Sequence, residues 1–473
     1  MIEKKNGASV RPYHRGMPDR SFNDASGEWA AHQRARKVAL GLAAATAVAL
    51  LVLAVAALRT PLPPHTAHET LTMQWTPDGR FLVHEGDAPP PDAYAAGLRN
   101  EYGLDGLVLR DAETGEVADR FGYSARLMPE VEDLYINTPF PTASGPVLMS
   151  GDARLYPRMA DAIGYQANAS SYPTVEAVFV APAIDRLSEI ELVPALAWSD
   201  LINLQRDSYC SVSLDVGLEV AVAQIDDNSD DIETYRTIFL THDGREIAST
   251  RRDVYFTFAV SPSGRRVLRE HGTLDRYDLL SLETDADGQP TLRIRTVPAD
   301  MGGELTPSGA TPYVEYLFWS DDCLLVLADD TPEGLFQFSA IDLTDPTSEP
   351  VPIGTPRYRT DSLQPWNAVA HAESGLIAVA ATEERSLLAD EFVTDTERLL
   401  LLQIDGDPLS GTATCEIVAD RRVGSSRRIF AFSPDPNGLT PTWIDFSPDG
   451  RRLLVDDESR QLVWEIAIDD LLE

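Results

Sequence analysis

Phe446–Val455 reads FSPDGRRLLV, and Trp75–Val83 reads WTPDGRFLV. The two stretches lie almost four hundred residues apart and spell one pattern. An apolar residue ends one run, and a Ser or Thr can bond back to the local backbone. Pro presets φ for the first turn position, and Asp-Gly closes a tight turn in which Gly tolerates φ > 0. A short run with period-2 alternation follows, so the pattern predicts a β-hairpin. A third clear copy is Val260-Ser-Pro-Ser-Gly-Arg265. Weaker copies are Trp319-Ser-Asp-Asp-Cys323 and His371-Ala-Glu-Ser-Gly375. The weakest, without Pro, are Ser150-Gly-Asp-Ala-Arg154 and Ser213-Leu-Asp-Val-Gly217.

A second turn signal falls between copies, flanked each time by apolar residues: LRDAETGEV (109–117), LTHDGREI (240–247), LETDADGQPTL (282–292), IDLTDPTSEP (341–350) and IDGDPLSG (404–411). Two hairpins per unit make four antiparallel strands. The copies recur about every 50–75 residues, against ~40–50 for a bare propeller blade, which places insertions at 85–104, 157–172, 226–234 and 384–397. A lone four-stranded sheet cannot cover both faces, whereas radial stacking buries them and leaves only short edges. The expected fold class is therefore all-β: a seven-bladed β-propeller over 70–473, with eight blades possible. The last blade, QLVWEIAI followed by DDLLE, lacks an outer strand. The one candidate to supply it is 60–69, whose prolines suit an edge strand at best.

The region from about 70 to 473 resembles the WD40-like propellers that carry an SPDG-type repeat, as in the TolB family and the propeller halves of prolyl oligopeptidase-like peptidases. Trp75–Gly79, Val260–Gly264 and Phe446–Gly450 carry the resemblance. It implies a noncatalytic binding platform in the cell envelope.

Residues 38–58, VALGLAAATAVALLVLAVAAL, hold no charge and are bracketed by Lys37 and Arg59. A helix this long spans the hydrocarbon core and satisfies its own backbone. The tail, 1–37, carries eight bases and four acids, leaving a net charge of about −40 after it out of −36 for the chain. Positive charge stays inside, so the tail is expected to be cytoplasmic and the remainder extracytoplasmic. A cleaved signal peptide is the competing reading, since Ala54-Val55-Ala56 resembles a cleavage site, but the apolar run and the tail before it are both long for one. The expected layout is a polar tail (1–37), a transmembrane helix (38–58), a Pro-rich linker (59–69) and the propeller (70–473), in a single-pass protein of the cell membrane.

Composition is globular, with 43% hydrophobic and 24% charged residues. All three lysines, Lys4, Lys5 and Lys37, fall in the first 37 residues. So acidic a body repels phosphate backbones and anionic membrane surfaces, which excludes nucleic acid as a partner. A cationic or neutral protein, peptide or glycan suits it better. The cysteines Cys210, Cys323 and Cys415 match no metal spacing and read as buried thiols.

No constellation carries chemistry outright. There is no GxSxG elbow for serine hydrolysis. Glycosidases need two facing carboxylates ~5–10 Å apart, and among so many acids no pair stands out. His65 and His68 lack a third metal ligand. Asp226–Asp231 offers oxygens for Ca²⁺ but lacks the spacing of an EF-hand, so a solvated turn is the plainer reading. Asp285 and Asp287 read as turn residues. Trp75, Trp319 and Trp443, beside the repeat turns, either grip a partner at one face or pack blade on blade. No catalytic, metal-ligating or cofactor-binding residue is assigned, no cofactor is expected, and the binding residues stay unnamed beyond one expectation: the site lies where loops from all blades converge, at the channel mouth. Expected function is a noncatalytic scaffold or sensor in the bacterial envelope; the alternative is an extracytoplasmic hydrolase using acids at that mouth.

Overall fold

The computed structural model describes residues 36–38, 65–68, 70, 73–86, 106–122, 128–156, 174–205, 212–227, 234–252, 257–270, 276–298, 314–328, 337–345, 347–354, 363–386, 392–429, 443–457 and 462–473. The chain divides into a short N-terminal unit, Met1–Pro61, and a second unit, Leu62–Glu473. Among the described residues no helix is long and apolar enough to cross a membrane. The expected span lies outside them, save Val38.

The second unit contains seven four-stranded antiparallel sheets. Blade 1 takes Gln74–Trp75, Phe81–Gly86, Gly106–Asp111 and Val117–Gly122, and blade 2 takes Val131–Pro141, Val147–Leu155, Thr174–Ala181 and Glu191–Leu192. Blade 3 takes Val212–Val216, Ala221–Asp227, Thr234–Leu240 and Glu246–Arg252, and blade 4 takes Thr257–Val260, Arg266–Glu270, Arg276–Thr284 and Pro290–Pro298. Blade 5 takes Val314–Ser320, Cys323–Ala328, Gln337–Asp342 and Val351–Ile353, and blade 6 takes Leu363–His371, Leu376–Ser386, Phe392–Asp405 and Thr414–Ile429. Blade 7 takes Ile444–Phe446, Arg452–Asp457 and Leu462–Ala467, and its fourth strand is Thr66–His68. The segment read as linker thus supplies the missing outer strand: Thr66 pairs with Glu465, Ala67 with Trp464 and His68 with Val463. First and last parts of the chain share one sheet, and the blades number seven, not eight.

The strand sequences explain the packing. In blade 5 the run CLLVL points alternate residues to opposite faces. Leu324 and Val326 join a core with Leu268, Leu279 and Val297 of blade 4, while Leu325 and Leu327 join one with Ile377, Val379 and Leu400 of blade 6. In blade 6, Leu376, Ala378 and Ala380 face Leu453, Val455 and Trp464 of blade 7. One core spans blades 1 to 3, another joins blades 3 and 4, and a last joins blade 7 to blade 1 through Leu454, Val463, Met73, Trp75 and Leu82. The cores therefore run round the ring without a gap. A fully buried Leu or Val contributes about 1.5–3 kcal/mol, so each seam is held by several such terms.

The quoted phrase is the turn between a blade's first and second strands. Gly79 N–H donates to the Thr76 carbonyl at 2.8 Å, and Phe81 N–H donates to Thr76 Oγ1 at 3.1 Å. Gly450 N–H repeats the bond to the Ser447 carbonyl at 2.8 Å, and Arg452 N–H donates to Ser447 Oγ at 2.9 Å. Gly264 and Ser261 do the same in blade 4. All three glycines have positive φ, between 66° and 81°.

Two assigned copies are corrected. Ser150–Arg154 lies inside the second strand of blade 2, not at a turn. That blade's turn is Thr142-Ala-Ser-Gly145, with Gly145 N–H donating to the Thr142 carbonyl. Gly151 instead serves a bulge between Ile136 and Thr138 on the neighbouring strand, where a Cβ would overlap the Tyr135 carbonyl oxygen. Ser213 sits near the start of the first strand of blade 3, and the turn follows at Gly217–Val220. Of the expected insertions, 384–397 is largely the two arms of a long hairpin, Leu376–Ser386 and Phe392–Asp405. Residues 87–104, 157–172 and 228–233 lie outside the described residues.

Candidate functional site

The repeat turns gather at one end of the ring and are locked to one another. His242 of blade 3 stands 3.0 Å from Ser144 Oγ of blade 2 and 3.0 Å from the Gly217 carbonyl oxygen. A carbonyl only accepts, so Nε2–H donates to Gly217 and Nδ1 accepts the Ser144 hydroxyl. Leu218 N–H donates to the Pro262 carbonyl at 2.9 Å, and Glu219 and Val220 N–H both donate to Ser263 O at 3.0 Å, stitching blade 3 to blade 4. Ser263 N–H donates to Asp321 Oδ1 of blade 5 at 3.1 Å. His371 of blade 6 donates through Nε2 to the Pro448 carbonyl of blade 7 at 3.1 Å, with its Nδ1 facing Ser374. Arg452 of blade 7 reaches the Gly79 and Ala112 carbonyls of blade 1, with its guanidinium 4.9 Å from the Trp75 ring centre.

Within this collar lies a cavity of about 540 Å³, lined by residues from all seven blades. Its rim is made of the turns: Pro77, Ala143, Leu218, Pro262, Glu373 and Pro448. The Pro of each clear SPDG-type copy is thus a rim residue. Leu218 is an apolar side chain left 62% exposed at this rim. The walls are the last residues of the first strands, including Gln74, Phe140, Val216, Phe318, Trp319, Ala370 and Asp445.

Aligning the blades on their true turns exposes a layer. Two residues before the turn's first position stand Gln74, Phe140, Asp215, Ala259, Phe318, Ala370 and Asp445 in blades 1 to 7. Five of these line the cavity. In blade 7 the neighbours Ile444 and Phe446 are buried in the blade 6–blade 7 core, and Asp445 between them lines the cavity. Burial pushes its carboxyl up to about 7, opposed only by the Phe446 backbone N–H. Asp215 occupies the same place in blade 3, across the ring. Its side chain is exposed and does not line the cavity. Among the described residues neither Lys nor Arg lines the cavity, and none stands at any of the seven positions. His371 and Glu373 are the other titratable side chains of the lining.

The residues singled out by sequence divide clearly. Trp75 and Trp319 line the mouth while also packing in seams, and Trp443 packs only on the blade 7–blade 1 core. His65 stacks on Trp464 at 4.1 Å, and buried His68 stands 3.1 Å from Glu465, so both serve the closing strand. Asp285 is a turn residue whose carboxylate accepts from Asp287 and Gln289 N–H. Asp226 and Asp227 end a strand, and 228–231 lie outside the described residues. Among the described residues no group of His, Cys, Asp and Glu is arranged to hold a metal ion. Cys323 and Cys415 are buried free thiols, pushed up to about 12 by burial, and Cys210 lies outside the described residues.

The mouth was expected, but its residues were not named. Asp445 could have been found as the polar residue between Ile444 and Phe446 in the strand before a clear turn. Leu218 could not, because its turn lacks the motif.

No family model matches this chain, and no curated protein does. Among solved structures it is similar to an oligogalacturonate lyase in complex with manganese, at 11% identity and a TM-score of 0.41, covering 86% of this chain and 92% of that one. It is also similar to the C-terminal WD40 domain of Sif2, at 10% identity and a TM-score of 0.38, covering 86% of this chain and 98% of that one. The blade count rests on this chain's own strand pairing.

Proposed function

We propose that this protein is a noncatalytic recognition module: a propeller, tethered outside the cell by the apolar segment 38–58, that binds a partner protein or peptide at its channel mouth. One observation carries the reading. All seven blades contribute to one cavity that mixes apolar and aromatic walls with the polar side chains of Gln74, Thr142, His371, Glu373 and Asp445, and whose rim offers exposed Leu218 and three prolines. That composition suits a binding pocket, and its volume falls in the ~300–1,000 Å³ range of ligand sites. The charge asymmetry between tail and body supports the topology and argues against nucleic acid.

Site-specific photo-crosslinking in intact cells tests it. A photoreactive side chain at Leu218, on the rim, is expected to capture a discrete partner. The same group at Val418, exposed on the outer strand of blade 6, is expected to capture none. Capture only at Val418, or equally at both, would contradict a mouth-centred site.

The hydrolytic alternative has one observation in its favour, a carboxyl held near neutrality on a channel wall. It requires a glycoside or ester whose turnover disappears in Asp445→Asn. Among the described residues the lining holds two carboxylates and one imidazole, with no arginine to orient an anionic substrate.

A further inference from the structure

We propose that the channel mouth recognises an arginine or lysine side chain of a partner polypeptide, held by the Asp445 carboxylate and the aromatic faces beside it. The proposal rests on the recognition reading above and gives that site its ligand class.

The register layer supplies the first reason. Of its seven positions, two are aspartates, one is glutamine, two are phenylalanines and two are alanines. Of the two aspartates, Asp445 of blade 7 lines the cavity, whereas Asp215 of blade 3 does not. Asp445 has no cation partner among the described residues. Among the described residues, Arg452 pairs with Glu465 and reaches the blade 1 carbonyls, Arg265 pairs with Glu219, and Arg266 with Asp322, and none of them lines the cavity. A carboxylate on such a wall lacks its counter-ion, and a ligand cation completes it.

The aromatics supply the second reason. Phe140, Phe318 and Trp319 line the same cavity. An ammonium or guanidinium within about 6 Å of such a ring face is attracted by its quadrupole, and the attraction grows when water is excluded. The aliphatic stem of Arg or Lys suits apolar walls, and the charged head suits the floor. The rim prolines and Leu218 then meet apolar neighbours of the inserted residue.

The third reason is exclusion of the opposite ligand. Burial raises the Asp445 carboxyl, so an anion beside it would keep it protonated, whereas a cation draws the proton off. The net charge of −36 also steers cationic partners toward the surface.

The test uses the full chain in detergent and two synthetic peptides, acetyl-Leu-Pro-Arg-Leu-Pro-amide and the same peptide with citrulline for arginine. Citrulline keeps the shape and removes the charge. Calorimetric titration at pH 8 is expected to give the arginine peptide at least a tenfold lower Kd. Asp445→Asn is expected to bring the two peptides within twofold of each other, and Trp319→Ala to weaken the arginine peptide. Equal affinities in the unmodified protein overturn the proposal, as does absence of binding by either peptide. A preference for arginine that survives Asp445→Asn overturns it too. Leu218 crosslinking that succeeds while the peptides bind equally would leave the recognition reading standing and remove only the cation.

Discussion

Asp445→Asn should stabilise the protein at pH 8 and leave its stability unchanged near pH 4. The folded state holds this carboxyl at about 7 against 3.8 for an ordinary aspartate, because burial disfavours its charge. Each tenfold change in proton affinity is worth about 1.4 kcal/mol, so the ionised group costs the fold up to about 4 kcal/mol. Water in the channel screens part of this, which leaves about 2–4 kcal/mol. The folded protein binds the proton more tightly than the unfolded chain, so native stability is fullest below pH 3.8 and declines as pH rises toward 7. Asparagine keeps the shape and cannot ionise, so it removes the decline. With an unfolding entropy of ~2.1 cal/mol/K per residue, a domain of roughly 400 residues gains about 2–5 °C in Tm. Paired calorimetric melts of the two proteins at intervals from pH 4 to 8.5 read this directly. All other side chains are common to the two proteins, so the difference reads position 445 alone. The gap should open above pH 4 and flatten above pH 7. A gap independent of pH, or a variant less stable at pH 8, would refute the environment assigned to Asp445. The same substitution that stabilises the fold is expected to impair recognition, a trade expected where a binding site stores strain.

Two further substitutions probe the ring. Gly264 has φ of 81° and sits where a Cβ would overlap the Val220 carbonyl oxygen of blade 3, whereas Gly288 has φ of 78° with open space around it. Gly288→Ala should cost only the left-handed backbone term, ~1–2 kcal/mol, and Gly264→Ala that term plus displacement of the blade 3–blade 4 seam, about 3 kcal/mol or more by urea unfolding; equal costs would deny the close seam. Ala67→Pro, in the closing strand opposite Trp464, removes a backbone donor and should lower Tm by several degrees while shifting emission from buried Trp464 to the red, and an unaltered melt would show that Thr66–His68 does not hold blade 7.

The sequence displays the turn more plainly than the blade. Where Pro and Gly both stand in the phrase, as at 76–80, 261–265 and 447–451, strand, turn and strand fall where expected, because local chemistry fixes them. Thr142–Gly145 lacks both Pro and Asp, and Gly217–Val220 lacks the whole motif; there the ring decides, through bonds to His242 and to the blade 4 turn. Ser150-Gly-Asp imitates a turn because a bulge and a turn both ask for a glycine. The charged arms TEERS and DTER look like loop by composition, yet their cross-strand pairing extends the hairpin, with Glu383 opposite Thr396 and Arg385 opposite Thr394. The closing strand is three residues among prolines, too short for any periodicity, and only its partners Trp464 and Glu465 identify it. The site was legible as a place and not as residues, since Asp215 and Asp445 become equivalent only after the true turns set the register.

Closure of the ring can be measured across its seam. A Cβ at Gly79 would stand 3.9 Å from Pro448 Cβ, within the ~3.5–4.5 Å that a disulfide requires. These residues lie at opposite ends of the propeller's sequence and meet only if blades 1 and 7 are neighbours. The double variant Gly79→Cys, Pro448→Cys, made in the full chain, is oxidised and its peptides are mapped by mass. A ring closed between its first and last blades predicts a 79–448 disulfide in most molecules, with native-like circular dichroism. Two thiols that stay unlinked and alkylate freely in the folded protein would contradict the closed ring, and with it the mouth that seven blades build.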